Sequence, residues 1–128
     1  MTYTYLTVQE VKAIHADQIR RFGGLPGLKS EAGLASAVAR PQTGYYNSIV
    51  EEAAALMESL ATNHPFNDGN KRVSFFAADS FLRLDGFFID CDAEEAYSFY
   101  MQWLESSSGR FAQLHAWLEN CIRPLDTS

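Results

Sequence analysis

Within the nine residues His64-Pro65-Phe66-Asn67-Asp68-Gly69-Asn70-Lys71-Arg72 stand an imidazole, a carboxylate, two side-chain amides, a glycine and two cations. Residues of these types can handle phosphate. His64 carries an imidazole, which can remove a proton from an attacking hydroxyl. Asp68 can hold a divalent cation, which in nucleotide sites keeps several waters and takes one or two carboxylates. Gly69 lets backbone approach an anion with no side chain in the way. Arg72 can fork onto phosphate oxygens and Lys71 can add a point charge. A helix starting at this point would add the unpaired N–H groups and positive dipole end of its first turn. Together these are the parts of a phosphoryl- or nucleotidyl-transfer site, where positioning and charge stabilisation supply most of the catalysis. On residue types alone, Asn67-Asp68-Gly69-Asn70 also fits a plain structural turn.

Helical elements must position this segment. Thr7 and Glu10 form a capping-box pattern, followed by Val8, Val11, His15, Ile19 and Phe22 at three- and four-residue steps. Gly23-Gly24-Leu25-Pro26-Gly27 stops that helix. A short second helix starts near Ser30, covers Leu34 and Val38, and ends at Arg40-Pro41. Pro41 to Asn47 reads as a loop with Tyr45 and Tyr46 at its tip. From Ile49 to Ala61, Ile49, Ala53, Met57, Leu60 and Ala61 line one face of a third helix, interrupted by the stretch from His64 to Asn70. The following helix, Lys71 to Leu84, is apolar around most of its circumference, as expected in the middle of a bundle. Asp85-Gly86 ends it. Phe87-Phe88-Ile89 could be extended, but no second strand is evident as its partner. Asp92 and Glu95 repeat the capping pattern ahead of Ala96, Tyr97, Tyr100, Met101 and Leu104. Ser106-Ser107-Ser108-Gly109 separates these from a last helix with Phe111, Leu114, Leu118, Cys121 and Ile122, which Pro124 closes. The expectation is an all-α bundle of about six helices, with a buried central helix following the motif loop.

The motif from His64 to Arg72 resembles the signature of the Fic/Doc family, specifically its death-on-curing (Doc) toxin branch. The resemblance continues upstream through Ile14-His15, Arg21-Phe22-Gly23-Gly24-Leu25-Pro26-Gly27 and Leu34 to Gln42, and extends to about Asp90. It implies that His64 is the general base and that Phe66 pins the loop into the core. It also implies that Asp68 binds Mg2+ and that Gly69, Asn70 and Arg72 hold phosphate. Asn67 and Lys71 join that nucleotide-binding set, and Lys71 and Arg72 join the catalytic one. In adenylyl-transferring relatives a second glycine stands where Lys71 is, and a further arginine where Phe75 is. Both departures favour the Doc mode, in which ATP presents its terminal phosphate to the histidine. The implied reaction is phosphorylation of a threonine of elongation factor Tu, arresting translation. AMP transfer and a catalytically silent binding module are the alternatives. Gln42, Tyr45 and Tyr46 fall where relatives carry a flap that docks the target. Ser48 to Glu52 has the spacing of an inhibitory helix, but Ala53 follows where Gly or Asn belongs. Control in trans by a Phd-type antitoxin is therefore implied.

Composition narrows the remaining classes. The 128 residues, 47% hydrophobic with nine Phe, six Tyr and two Trp, suit one domain over residues 1–128. A net charge of −6 without a basic stripe disfavours direct nucleic-acid binding. Cys91 and Cys121 lack zinc or disulfide-framework spacing and read as small buried groups. The run Met1-Thr2-Tyr3-Thr4-Tyr5 is unlike a signal peptide, and no apolar run approaches the roughly 18 residues of a membrane span. A cytoplasmic protein is expected. His15 and His115 read as structural, Arg83 as a partner of its helix C-terminus, and Glu51-Glu52 as a solvated face.

Overall fold

The computed structural model describes residues 3–106 and 108–125; Met1, Thr2 and Ser107, named in the sequence reading, lie outside these. The described residues form helices α1 (Val8–Phe22), α2 (Glu31–Ala39), α3 (Ile49–Asn63), α4 (Asn70–Leu84), α5 (Ala93–Glu105) and α6 (Arg110–Cys121). Two short strands, β1 (Phe87–Ile89) and β2 (Ile122–Pro124), complete them. The all-α bundle of six helices is as expected.

Local chemistry sets the ends of these elements. Thr7 Oγ1 accepts from Glu10 N at 3.1 Å while Thr7 N donates to Glu10 Oε1 at 2.8 Å, so both halves of the capping box form. Ser30, Ser48 and Asp92 cap α2, α3 and α5 by accepting from the backbone three residues on. Asn47 N donates to Glu51 Oε1 at 3.1 Å, adding a further tie at the start of α3. After α2 the chain does not break at Pro41; Arg40–Gln42 continues as a 3-10 turn, with Pro41 where no helical N–H is required.

The core is built on α3 and α4. Val73, Ser74, Ala77, Ala78, Phe81 and Leu82 of α4 are buried. α3 is buried on more of its surface than a single apolar face, from Ala53 through Met57 and again from Ser59 to Ala61. Its consecutive alanines let α2, α4 and α6 approach closely. One residue there corrects the sequence reading: Glu52 is 6% exposed and faces inward, whereas Glu51 is half-buried at the helix start. One helical position separates them, enough to turn Glu52 toward Tyr5. Burial pushes the Glu52 carboxyl above the usual range, and Asp85 adds to this; the neighbouring Tyr5 opposes it.

A second correction concerns β1, which does have a partner. It pairs antiparallel with β2 in the register Phe87↔Pro124, Phe88↔Arg123 and Ile89↔Ile122. Ile122 therefore belongs to a strand and not to the last helix. Three residues are too few for alternation to show, and Pro124 argues against a strand except at an edge. Flanking bonds from Asp90 N to Cys121 O and Leu125 N to Gly86 O, both 2.8 Å, fasten the ribbon. Among the described residues no helix is long and apolar enough to cross a membrane.

Candidate active site

The segment from His64 to Arg72 joins α3 to α4, and its conformation follows from a dense set of backbone ties. α3 ends at His64 with φ 49° and ψ 56°, the left-handed region. Among the described residues, His64 is the one non-glycine with positive φ. Such a conformation is held only when the surroundings impose it, and it clusters at functional sites. The surroundings here are plain. Pro65 O accepts from Lys29 N at 2.7 Å and from Ser30 N at 2.9 Å, and Asn67 N donates to Gly27 O at 3.0 Å. Phe66 bridges Leu28, so the approach to α2 and the motif loop form a small antiparallel contact.

Phe66 is 3% exposed and stacks on His15, with ring centroids 3.8 Å apart and planes 6° from parallel. His15 Nε2 lies 2.7 Å from Asp68 O. A carbonyl only accepts, so Nε2 carries the proton. His15 is thus a buried scaffold under the loop. Asn70 closes the loop from the other side: Phe66 N donates to Asn70 Oδ1 and Asn70 Nδ2 donates to Phe66 O, both at 3.0 Å. Asn67 Nδ2 donates to Pro26 O at 3.2 Å. The Asn70 amide is therefore committed to the loop at both its atoms, and what Asn70 offers an anion is its backbone N–H. The first intrahelical bond of α4 runs from Val73 N to Gly69 O at 2.9 Å. The N–H groups of Asn70, Lys71 and Arg72 are left without an intrahelical acceptor. Gly69, at φ 77°, makes the turn that exposes them.

Asp68 lies exposed above this turn, accepting from Gly69 N at 2.8 Å on Oδ1 and from Leu25 N at 3.0 Å on Oδ2. The Leu25 and then the Gly69 bond hold its carboxyl below the usual carboxylate range. The Leu25 contact was not legible in the sequence. It requires Gly24, whose φ is 121° and where a Cβ would lie 2.8 Å from Asp68 Oδ2. Arg72 reaches the same segment, its Nη1 3.5 Å from Gly23 O and its Cζ 5.1 Å from the Phe22 ring centre.

His64, Asn67, Asp68, Gly69, Asn70, Lys71 and Arg72 all line one cleft of about 960 Å³. Much of the remaining lining is apolar, with Phe75 and Phe76 from α4 and Tyr97 and Leu104 from α5. The α5 wall is fixed by a buried relay. Ser74 Oγ donates to Lys71 O at 2.7 Å and lies 2.6 Å from the Tyr100 hydroxyl, which therefore donates to it. Two hydroxyls in series thus couple α5 to the first turn of α4. The α5–α6 corner adds Arg110 to the cleft; neither contribution belongs to a recognisable sequence pattern.

Other singled-out residues lie elsewhere. Gln42, Tyr45 and Tyr46 do not line the cleft. Tyr46 packs inward, its hydroxyl accepting from Arg40 Nε at 2.7 Å and its ring stacked on Phe111. Tyr45 is 80% exposed, and Gln42 Nε2 donates to Val38 O at 3.1 Å. Arg83 stands in the last turn of α4, as expected, and there pairs with Asp79 at 2.7 Å. His115 has an acidic neighbour one turn on, Glu119 at 3.1 Å. Cys91 is half-buried on the cleft wall, and burial, with Cys121 beside it, pushes its thiol up to about 12. A thiol shifted this way is disfavoured as a thiolate nucleophile.

The model of the Fic/DOC family matches residues 5–82. The chain is similar to Toxin Doc of Mycolicibacterium smegmatis, with 43% identity over 70 residues, 51% of this chain and 54% of that protein. It is also similar to Protein kinase doc of Escherichia phage P1, with 36% identity over 87 residues, 64% of this chain and 68% of that protein. The chain thus matches about half the length of the first relative.

Proposed function

The chain belongs to the Fic/DOC family, and from that premise we propose that it is a toxin acting as a protein kinase of the Doc type. It transfers the γ-phosphate of ATP to a threonine of elongation factor Tu and so arrests translation in the cytoplasm. A Phd-type antitoxin restrains it. The convergence of His64, Asp68 and the open first turn of α4 on a single cleft carries this reading. The names of the two relatives, a toxin and a protein kinase, support it.

The residues suit their tasks. His64 accepts the proton of the threonine hydroxyl as its oxygen bonds to the γ-phosphorus. The bond from that phosphorus to the β–γ bridging oxygen breaks, and ADP leaves. The α4 N–H groups, Lys71 and Arg72 stabilise the charge on the phosphoryl oxygens. Asp68 suits Mg2+: each oxygen takes one backbone N–H and keeps a second lone-pair direction, and magnesium in nucleotide sites needs only one or two carboxylates. When bound, the ion would neutralise phosphate charge. Lys71 and Phe75 in the cleft wall favour phosphate over AMP transfer, because a lysine crowds the turn and a phenylalanine offers far phosphates no cation.

Incubation with elongation factor Tu and ATP labelled at the γ or the α phosphate tests the proposal. Label from the γ position on the target, lost in His64→Ala, is expected. Label from the α position would replace it with AMP transfer.

A further inference from the structure

Beyond the motif, the cleft contains a cation from the other half of the chain. Arg110 opens α6 and is half-buried. Its Nε donates to Ser106 O at 2.9 Å and one terminal nitrogen donates to Leu104 O at 3.2 Å, so the carbonyls ending α5 fix the guanidinium. These bonds engage two of its five N–H donors. The α5 end is itself located relative to α4 by the Tyr100–Ser74–Lys71 relay, and Tyr100, Leu104 and Arg110 all line the cleft. Charge is distributed unevenly. The chain has ten Lys and Arg against sixteen Asp and Glu. The cleft lining has Lys71, Arg72 and Arg110 against the single acid Asp68. An acidic protein that concentrates three cations around one cleft has built it for an anion.

We propose that Arg110 is the third anion-binding cation of the site and contacts the phosphate chain of the bound nucleotide from the α5–α6 corner of the cleft. This rests on the nucleotide reading above. A rigid guanidinium already held by two carbonyls loses little freedom on meeting a phosphate.

The test is ATP binding by calorimetry to the wild type, Arg72→Gln and Arg110→Gln, with the Arg110 Nε–H resonance followed by nitrogen-correlated NMR of the wild type. Arg110→Gln should bind ATP about tenfold more weakly or worse, the size of a lost charged hydrogen bond. Addition of ATP should shift the wild-type Arg110 resonance, which adenosine at the same concentration leaves in place. That spectrum needs no variant, so the proposal stays testable if Arg110→Gln does not fold. Unchanged ATP affinity in Arg110→Gln overturns the inference, as does an Arg110 signal unmoved when ATP is bound. Intact ATP affinity with a raised KM for elongation factor Tu also overturns it and assigns Arg110 to the protein substrate. A wild type that binds no ATP overturns the nucleotide reading itself, which Arg72→Gln separates from a failure at Arg110 alone.

Discussion

Replacing His64 by glycine is expected to stabilise the fold while abolishing transfer. At φ 49° and ψ 56° an L-residue carries a left-handed penalty of roughly 1–2 kcal/mol. The side chain is exposed and makes no hydrogen bond to the described residues, so its removal sacrifices no folding contact. Glycine relieves the backbone penalty but adds freedom to the unfolded chain, worth roughly 0.5–1 kcal/mol against folding. The difference leaves a gain of about 0–1.5 kcal/mol, or a rise of up to about 6 °C in Tm for a domain of this size. His64→Ala retains the backbone strain and should lie near the wild type. Urea unfolding measures this, with unchanged m-values certifying that only stability moved. A His64→Gly variant less stable than His64→Ala would refute the reasoning, since the left-handed turn would then carry no penalty to relieve.

Other expectations follow from the same loop. Gly24→Ala places a Cβ 2.8 Å from Asp68 Oδ2 at a φ of 121°; it should lower stability by about 1–3 kcal/mol and reduce transfer, read by urea midpoint and turnover. Tyr100→Phe removes one buried hydroxyl donor to Ser74, with a loss of about 1 kcal/mol in chemical denaturation; no loss would show that the relay is not formed. Asp68 has its carboxyl lowered in the fold, so it contributes stability above the ordinary aspartate pKa, lost as pH falls through the lower folded value. Acid titration of unfolding should therefore find a shallower limb below about pH 4 in Asp68→Asn than in the wild type. Expression of the wild type in a sensitive host should arrest growth, and His64→Ala should not; equal arrest would point to binding alone.

Much of this was written locally in the chain. The capping box at Thr7 and Glu10, the glycine stop after Phe22 and the dense motif are short-range signals, and each element they mark is present. What escaped depends on contacts between distant segments. Leu25 meets Asp68 across 43 positions and Tyr100 meets Ser74 across 26, and no periodicity encodes either. The pairing of β1 with β2 is similarly non-local, and three-residue strands leave no alternation to read. Glu52 was misplaced because charge alone suggests solvent, whereas its angular position on α3 turns it inward beside Tyr5. Asn70 illustrates a subtler gap: its identity was legible, but not that its amide would be spent on the backbone of Phe66.

A crystal structure of the chain with Mg2+ and a non-hydrolysable ATP analogue would decide whether the turn from Gly69 to Arg72 holds a triphosphate. The expected density has the phosphates across the first turn of α4, the ion on Asp68 and the terminal phosphate facing His64. A triphosphate bound away from that turn, or one pointing its α-phosphate at His64, would contradict it.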